Sequence, residues 1–553
     1  MSPEACEISD DFLALLKQDL VHRRVGQGMT RLQEHSCLFT SLDPEQQNAA
    51  RFAGYLAQWV DIGFQRPALV KQVVSRFPAS IRSRLPLQDY LYLRLAEGMM
   101  AMAAETTDEA IHHLDFVLSL STEIEDDKEL LAIVNFWKGR CLRMKGEYDQ
   151  SLAFGVKGRD LAMELGHETM ASVMGVLESW LFFQKGNVAR ALQTLHEAEA
   201  LLAKTDDYLT LGNIQSSYGR IARRQGRYQH AIEFFSAAIS QYRQRDPRHR
   251  NIARSLNNLA NVKRLIALQL RRKMDADAAR RRKAARKGRA SENGGKAQVR
   301  GRFEQLREEA LAELKEAAAI YDEYRNHHGL GSVHLSYGYL HLDNGDLEHA
   351  EGEAKIAFRL AEEKGDHILM ARARLLNCMI ENARVEEEIG ESAERGIHAR
   401  EAQDCAQEAI ELARQTQNRR LLADTYIWQG LTYCNRFFDD PDSARQSYDQ
   451  ATALAKSNHT DGSWEDLETL KSKVLRSGPV NPLLRAWSQG SVGEKTFQQI
   501  TEEFAELIIP RVWEREGRKI SRVASRLSMS PKKVRRILSK VVRRKKSGWN
   551  GTI

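Results

Sequence analysis

The sequence predicts an all-α protein: a long array of helical hairpins followed by a small, separate helical domain. Three observations predict it. Small residues recur on a ruler of about 40 residues along most of the chain. Chain breakers are scarce, with 35 glycines and 11 prolines in 553 residues, which favours long uninterrupted helices. After Ala455 the ruler is lost, and beyond it come the break SGPVNP (477–482) and a strongly basic segment.

Composition bounds the class. With 42% hydrophobic and 28% charged residues the chain can bury a core. No apolar run approaches the roughly 18 residues of a membrane span, so no membrane partner is expected. The start, MSPEACEISDDF, is acidic where a secretion signal is basic and then apolar. Cys6, Cys37, Cys141, Cys378, Cys405 and Cys434 are dispersed without a CxxC pair, the usage of a reducing cytoplasm. The net charge of +7 conceals a partition. Residues 271–302 carry 13 Lys and Arg against Asp275, Asp277 and Glu292, and residues 511–546 carry 15 against Glu514 and Glu516, so the remainder is acidic. Basic segments this dense suit polyanions, through phosphate neutralisation.

In chain order, residues 1–44 are expected to form an N-terminal helical cap and residues 45–458 the repeat. Three segments show its frame: GRCLRMKGEYDQSLAFGVKG from Gly139, GRIARRQGRYQHAIEFFSAA from Gly219 and GYLHLDNGDLEHAEGEAKIA from Gly338. A small residue is followed seven later by glycine (Gly146, Gly226, Gly345), then by small residues at Ser151, Ala231, Ala350 and at Gly158, Ala238, Ala357. The first small residue falls at Gly98, Gly139, Ser179, Gly219, Ala260, Gly338, Cys378 and Gly430. The frame survives two insertions: the basic island between SLNNLANVKRLIAL and FEQLREEALAELKEAAAIY, and EEEIGESAERGIHAR. A weaker unit, AGYLAQWVDIGFQRPALVKQVV, precedes Gly98, so about nine hairpins are expected.

This frame resembles the tetratricopeptide repeat, in which small residues let helices A and B of each hairpin approach closely. The resemblance implies a right-handed superhelical solenoid whose concave face is lined by helix A just past its small residue. The period exceeds the family's usual 34 residues by about one helical turn, and long-period repeats resemble the sensor domains of some bacterial transcription activators. The implied concave positions are Arg140, Arg143, Trp180, Phe183, Arg220, Arg223, Asn261, Arg264 and Tyr339, and Asn258 with Asn261 resembles asparagines that hold a bound peptide backbone. Arginines beside aromatics suit an acidic peptide or a phosphorylated small molecule. Ordinary solvated arginines over buried aromatics are the plainer reading.

The island 271–302 has almost no apolar residue larger than alanine, so it cannot pack. It reads as a disordered insertion at a hairpin tip, its first half able to extend helix A, or as a non-specific nucleic-acid arm. Residues 459–493 read as a linker.

In 494–546, Phe497, Ile500, Phe504, Leu507 and Ile508 recur at helical spacing, and the helix is expected to run to about Gly517. Ile520, Val523, Ala524 and Leu527 form a second apolar face. A turn at Ser528–Ser530 follows, with Ser530 as N-cap and Pro531 at the first helical position, before a third face of Val534, Ile537, Leu538 and Val541. Two helices crossing steeply over a short turn need a small residue at the contact, here Ala524. The segment resembles the Fis-type helix-turn-helix of bacterial enhancer-binding activators, with serine at 528 where many such motifs have glycine. The resemblance implies a DNA-recognition helix that starts at Ser530 and presents Lys532, Lys533, Arg535, Arg536 and Lys540. Residues 547–553 form a tail.

No phosphate-binding loop, GxSxG, HExxH or Cys/His zinc pattern occurs, and the pairs His112–His113 and His327–His328 face different sides of a helix. No catalytic residue, metal or cofactor is therefore expected. The chain reads as a bacterial DNA-binding regulator whose array senses or docks a protein, peptide or small molecule. The alternative is a scaffold whose basic tail holds nucleic acid non-specifically or an acidic partner.

Overall fold

The computed structural model describes residues 7–124, 126–285, 296–387, 392–454, 462–476 and 495–546. Among these residues all regular structure is α-helical, as the repeat frame requires. The chain divides into two compact units, residues 1–472 and 473–553.

The first unit opens with α1 (Asp10–Val21), α2 (Val25–Glu34), α3 (Cys37–Ser41), α4 (Ala49–Asp61), α5 (Ala68–Val74) and α6 (Ala79–Arg82). The weak unit after Ala53 thus makes a degenerate hairpin, because its second helix, α5, has only seven residues. Eight hairpins follow: α7 and α8 (Leu87–Ala103, Thr107–Ser119), α9 and α10 (Lys128–Lys145, Tyr148–Glu164), α11 and α12 (Glu168–Gln184, Val188–Leu202), and α13 and α14 (Tyr208–Arg224, Tyr228–Arg245). Then come α15 and α16 (Arg250–Ala285, Lys296–Glu323), α17 and α18 (His327–Asp343, Leu347–Glu362), α19 and α20 (His367–Glu386, Ser392–Arg414), and α21 and α22 (Arg419–Tyr433, Pro441–Leu454). The unit ends with α23 (Gly462–Arg476).

Local chemistry sets the start and stop of each helix A. Asp127, Asp207, Asn326, Asp366 and Asn418 stand at N-caps, where the side-chain oxygen accepts an otherwise orphaned backbone N–H. Each such cap contributes about 1 kcal/mol. At the other end Gly146, Gly226 and Gly345 have φ of +84°, +71° and +78°, the left-handed geometry that glycine adopts without a Cβ clash.

The crossings are as tight as the frame demands. A Cβ on Gly139 would lie 3.0 Å from the Ser151 carbonyl oxygen, and one on Gly338 would lie 3.3 Å from that of Ala350. A Cβ on Gly219 would meet the Phe235 ring at 2.8 Å. Serine serves where glycine is absent: Ser151 Oγ donates to the Gly139 carbonyl (2.7 Å) and Ser179 Oγ to that of Ala191 (2.9 Å).

Two expectations are corrected. The island does not read as disordered where it is described: α15 continues to Ala285 and α16 begins at Lys296, so 271–285 and 296–302 are helical. Alanine, lysine and arginine are strong helix formers and need no packing partner to propagate a helix already nucleated. Nor is 459–493 wholly a linker, because α23 occupies 462–476. Leu467 and Leu470 are buried, and Leu470 lies against Gly430 of α21. Residues 286–295, the SGPVNP break and the tail 547–553 lie outside the described residues. Cys141, Cys378, Cys405 and Cys434 form no disulfide, whereas Cys37 is disulfide-bonded, against the expectation of reduced cysteines. No described helix is long and apolar enough to cross a membrane.

Segments 180 or more residues apart are stitched together. Asp206 accepts from the Val25 and Gly26 N–H groups at 2.6 Å each, so it caps α2 from the far end of α12. Glu105, held at φ +61°, accepts from the His327 N–H (2.7 Å), the His328 N–H (3.2 Å) and Asn326 Nδ2 (2.7 Å) at the start of α17. The Gln417 N–H donates to the Gly146 carbonyl (2.9 Å), while its Oε1 accepts from the Asp149 N–H (2.7 Å). A carboxylate at a helix N-terminus answers both the free N–H groups and the positive end of the helix dipole.

Two predictions follow from these contacts. Gly219→Leu should lower unfolding free energy in urea by about 1–3 kcal/mol, since the added side chain overpacks against Phe235; an unchanged midpoint would disprove the tight crossing. Glu105→Ala should cost about 1–2 kcal/mol and speed hydrogen exchange at 327–330. Unaltered exchange there would mean that the long-range cap contributes nothing.

Candidate functional site

Neighbouring A helices touch one another along the array, whereas neighbouring B helices have at most passing contact. The A helices therefore form the tighter, inner layer, and their outward-turned residues line the inner face. Arg140 forks onto the Asp61 carboxylate of α4 (2.7 and 3.2 Å) and lies 4.0 Å over the Trp137 ring. Arg143 lies 5.1 Å over Trp180, whose ring stands edge-on to Tyr148 at 5.4 Å. Arg220 donates only to neutral groups, the Ser216 carbonyl (3.3 Å) and Ser217 Oγ (3.0 Å). Arg223 donates to Asn258 Oδ1 at 3.0 Å.

Two further arginines join them from α15. Arg250 lies 3.6 Å from Asp61, and Arg254 donates to Asn213 Oδ1 at 2.6 Å. Arg254 stands six residues before Ala260, as Asn213 does before Gly219 and Arg372 before Cys378. The position just past the small residue and the one six before it differ by seven, close to two helical turns, so both lie on one face. That second row was the readable signal for Arg254 and Arg372. The sequence reading used only the first row.

The electrostatics of this patch are one-sided. Burial, and then the neighbouring Arg140 and Arg254 charges, push Arg143 down to about 10. Burial, with Arg254, Arg143 and Arg223, pushes Arg220 down to about 9, against Tyr242. Burial raises Asp61, but Arg140, Arg250 and Arg23 outweigh it and hold the carboxyl below its usual range. Among the described residues Arg143, Arg220 and Arg254 pair with no carboxylate.

Farther along, the inner face neutralises itself. Arg264 forks onto Asp343 (2.5 and 3.0 Å) and lies 4.7 Å over Tyr339. Asn258 Nδ2 turns back to the Arg254 carbonyl (2.8 Å), and Asn261 Nδ2 donates to the Asn257 carbonyl and Ser336 Oγ (2.9 Å each). Phe183 is buried beneath Arg224 and lines no groove. Burial and the neighbouring Asp424 push Asp466 up to about 7. Arg140, Arg143, Trp180, Arg220, Arg223 and Asn258 thus belong to one basic stretch, while Asn261, Arg264 and Tyr339 belong to a separate, paired one. In the turn between α17 and α18, His341 and His349 both hydrogen-bond Asp346 (3.1 and 2.8 Å), a grouping that no motif announced.

The second unit is described from 495 to 546 as α24 (Phe497–Arg515), α25 (Ile520–Arg526) and α26 (Pro531–Lys546). Thr496 and Gln499 close a capping box at the start of α24. Ile509, Val523, Ala524, Val534 and Ile537 form the core, with Leu527, Met529 and Leu538 packed against it. Ser528 takes φ +50°, so the residue standing where glycine is common adopts the left-handed geometry itself. The Met529 N–H donates to the Ala524 carbonyl (2.9 Å), and Ser530 Oγ accepts from the Lys533 N–H (3.3 Å) as the N-cap. Lys532, Lys533, Arg535 and Arg536 are exposed along α26. Lys540 is also exposed but lies 2.5 Å from Glu506 of α24.

Residues 210–269 match the tetratricopeptide repeat family. No curated protein sequence matches the chain. Among solved structures the chain is similar to the Rap protein complexed with competence and sporulation factor, at 14% identity over 73% of this chain and 98% of that one, with a TM-score of 0.49. It is similar to a monomeric IFIT1 mutant with Gppp-AAAA, at 13% identity over 84% and 89%, with a TM-score of 0.46. It is also similar to the apo quorum sensor NprR from B. thuringiensis, at 12% identity over 81% and 98%, with a TM-score of 0.36.

Proposed function

We propose that this chain is a DNA-binding transcription regulator that docks a partner on the inner face of its helical-repeat array. The observation that carries the DNA half is the turn from α25 to α26. Ala524, Ser528 and Met529 hold two short helices across each other, and the exposed side of the second carries four cations at 532, 533, 535 and 536. A helix supported this way can enter the major groove, where Arg and Lys reach guanine edges or hold phosphates. The uncompensated inner-face arginines support partner docking by the array. The reading gives the chain no catalytic step. The island 271–302 enters as an auxiliary, non-specific nucleic-acid arm.

Selection of random duplexes on the full chain, read by sequencing, should return a defined motif. Arg535→Ala with Arg536→Ala should leave stability within about 0.5 kcal/mol and weaken the selected duplex by about 1–3 kcal/mol per lost base contact. Equal binding of all duplexes by parent and variant would favour the scaffold reading instead. Deleting 272–300 should leave the melting temperature unchanged, because Lys263 still reaches Glu309 (2.8 Å) and Glu313 (2.5 Å) below the deletion. It should lower non-specific affinity while the selected motif persists. A large drop in melting temperature would show that the island packs.

A further inference from the structure

Arg143 of α9, Arg220 of α13 and Arg254 of α15 converge on one stretch of the inner face, with Trp180 of α11 between them. Each lies within electrostatic reach of the other two. Their visible partners are neutral: the Trp180 ring, the Ser216 carbonyl, Ser217 Oγ and Asn213 Oδ1. Arg254 Nε is buried with no hydrogen-bond partner. Asn213 Oδ1 is already shared with Tyr242 (2.9 Å) and Asn251 (3.2 Å), so it cannot balance a charge as well. Gathering half-buried like charges opposes folding, and the nearby carboxylate of Asp61 is occupied by Arg140 and Arg250.

We infer that Arg143, Arg220 and Arg254 form a binding site for the phosphoryl groups of a small phosphorylated ligand, with Trp180 and Tyr148 as an aromatic wall beside it. Three guanidinium forks without carboxylate partners fit the clustered oxygens of a phosphate or diphosphate, which accept paired N–H donors. An extended acidic peptide fits less well, because carboxylates on one face of a strand recur only every ~7 Å. The inference rests on the inner face being the docking surface and not on DNA binding.

The test is calorimetric titration of the full chain with inorganic pyrophosphate, and in parallel with a tri-glutamate peptide. Pyrophosphate should bind one per chain, and Arg143→Gln, Arg220→Gln and Arg254→Gln should each weaken it about tenfold or more, as expected for loss of a charged hydrogen bond. The ligand-free Arg254→Gln chain should melt no lower than the parent, since repulsion is relieved, and this verifies that the variant folds. Absence of pyrophosphate binding, its persistence in folded Arg-to-Gln variants, or preference for the peptide would each overturn the assignment. Duplex selection is read separately, so failure of DNA binding leaves this result standing.

Discussion

The close approach of helices A and B is the constraint on which the first unit depends. At Gly139, Gly219 and Gly338 there is no room for a Cβ without moving a carbonyl or a ring. Where a crossing residue is serine, its hydroxyl is spent on a carbonyl of the facing helix, as at Ser151 and Ser179. Because that contact recurs every 40 residues or so, every other feature of a hairpin inherits the same spacing. The left-handed glycine lies seven residues on, Asp or Asn caps recur at the start of five of the A helices, and the residues facing inward recur in register. The basic inner face is a product of this register, since a residue seven positions from a lining residue lines the same face.

The array is also held together across its length. Asp206, Glu105 and Gln417 each satisfy backbone groups in segments far away in sequence, all three at helix N-termini whose N–H groups would otherwise have no partner. A solenoid joined only through neighbouring repeats can bend freely, whereas one stitched in this way keeps its inner face at a set spacing. That spacing is what allows arginines from three different hairpins to meet, and it gives the candidate ligand site its rigidity.

Much of this was legible in the residues. The crossing positions, the glycine turns, the helix bounds of the second unit, the Ser530 cap and the Ala524 contact all rest on local rules of size and hydrogen bonding that short segments carry. Three things were not legible, each for a physical reason. The basic island was legible only in its first half, because absence of apolar residues excludes packing but not helix: Arg271 to Ala285 needs only the nucleus supplied by α15. Residues 462–476 fell in a region without the ruler, although Leu467 and Leu470 were spaced to cover the end of α21. Glu105 and Asp206 act on helices more than 180 residues away or nearly so, and no local pattern marks a carboxylate as a distant cap. The inner face was half legible: Arg140, Arg143 and Arg220 followed from the frame, whereas Arg254 and Arg250 required extending it by about two and three helical turns.

The central claim is that the second unit, through the first turn of α26, is what contacts DNA. Hydrogen exchange of the full chain with and without a tightly bound duplex from the selection tests it most directly. The account predicts slowed exchange at amides between Ser530 and Ile537, with the A helices of the array unchanged. Protection confined to 271–302 or to the inner face, with none in 520–541, would contradict it.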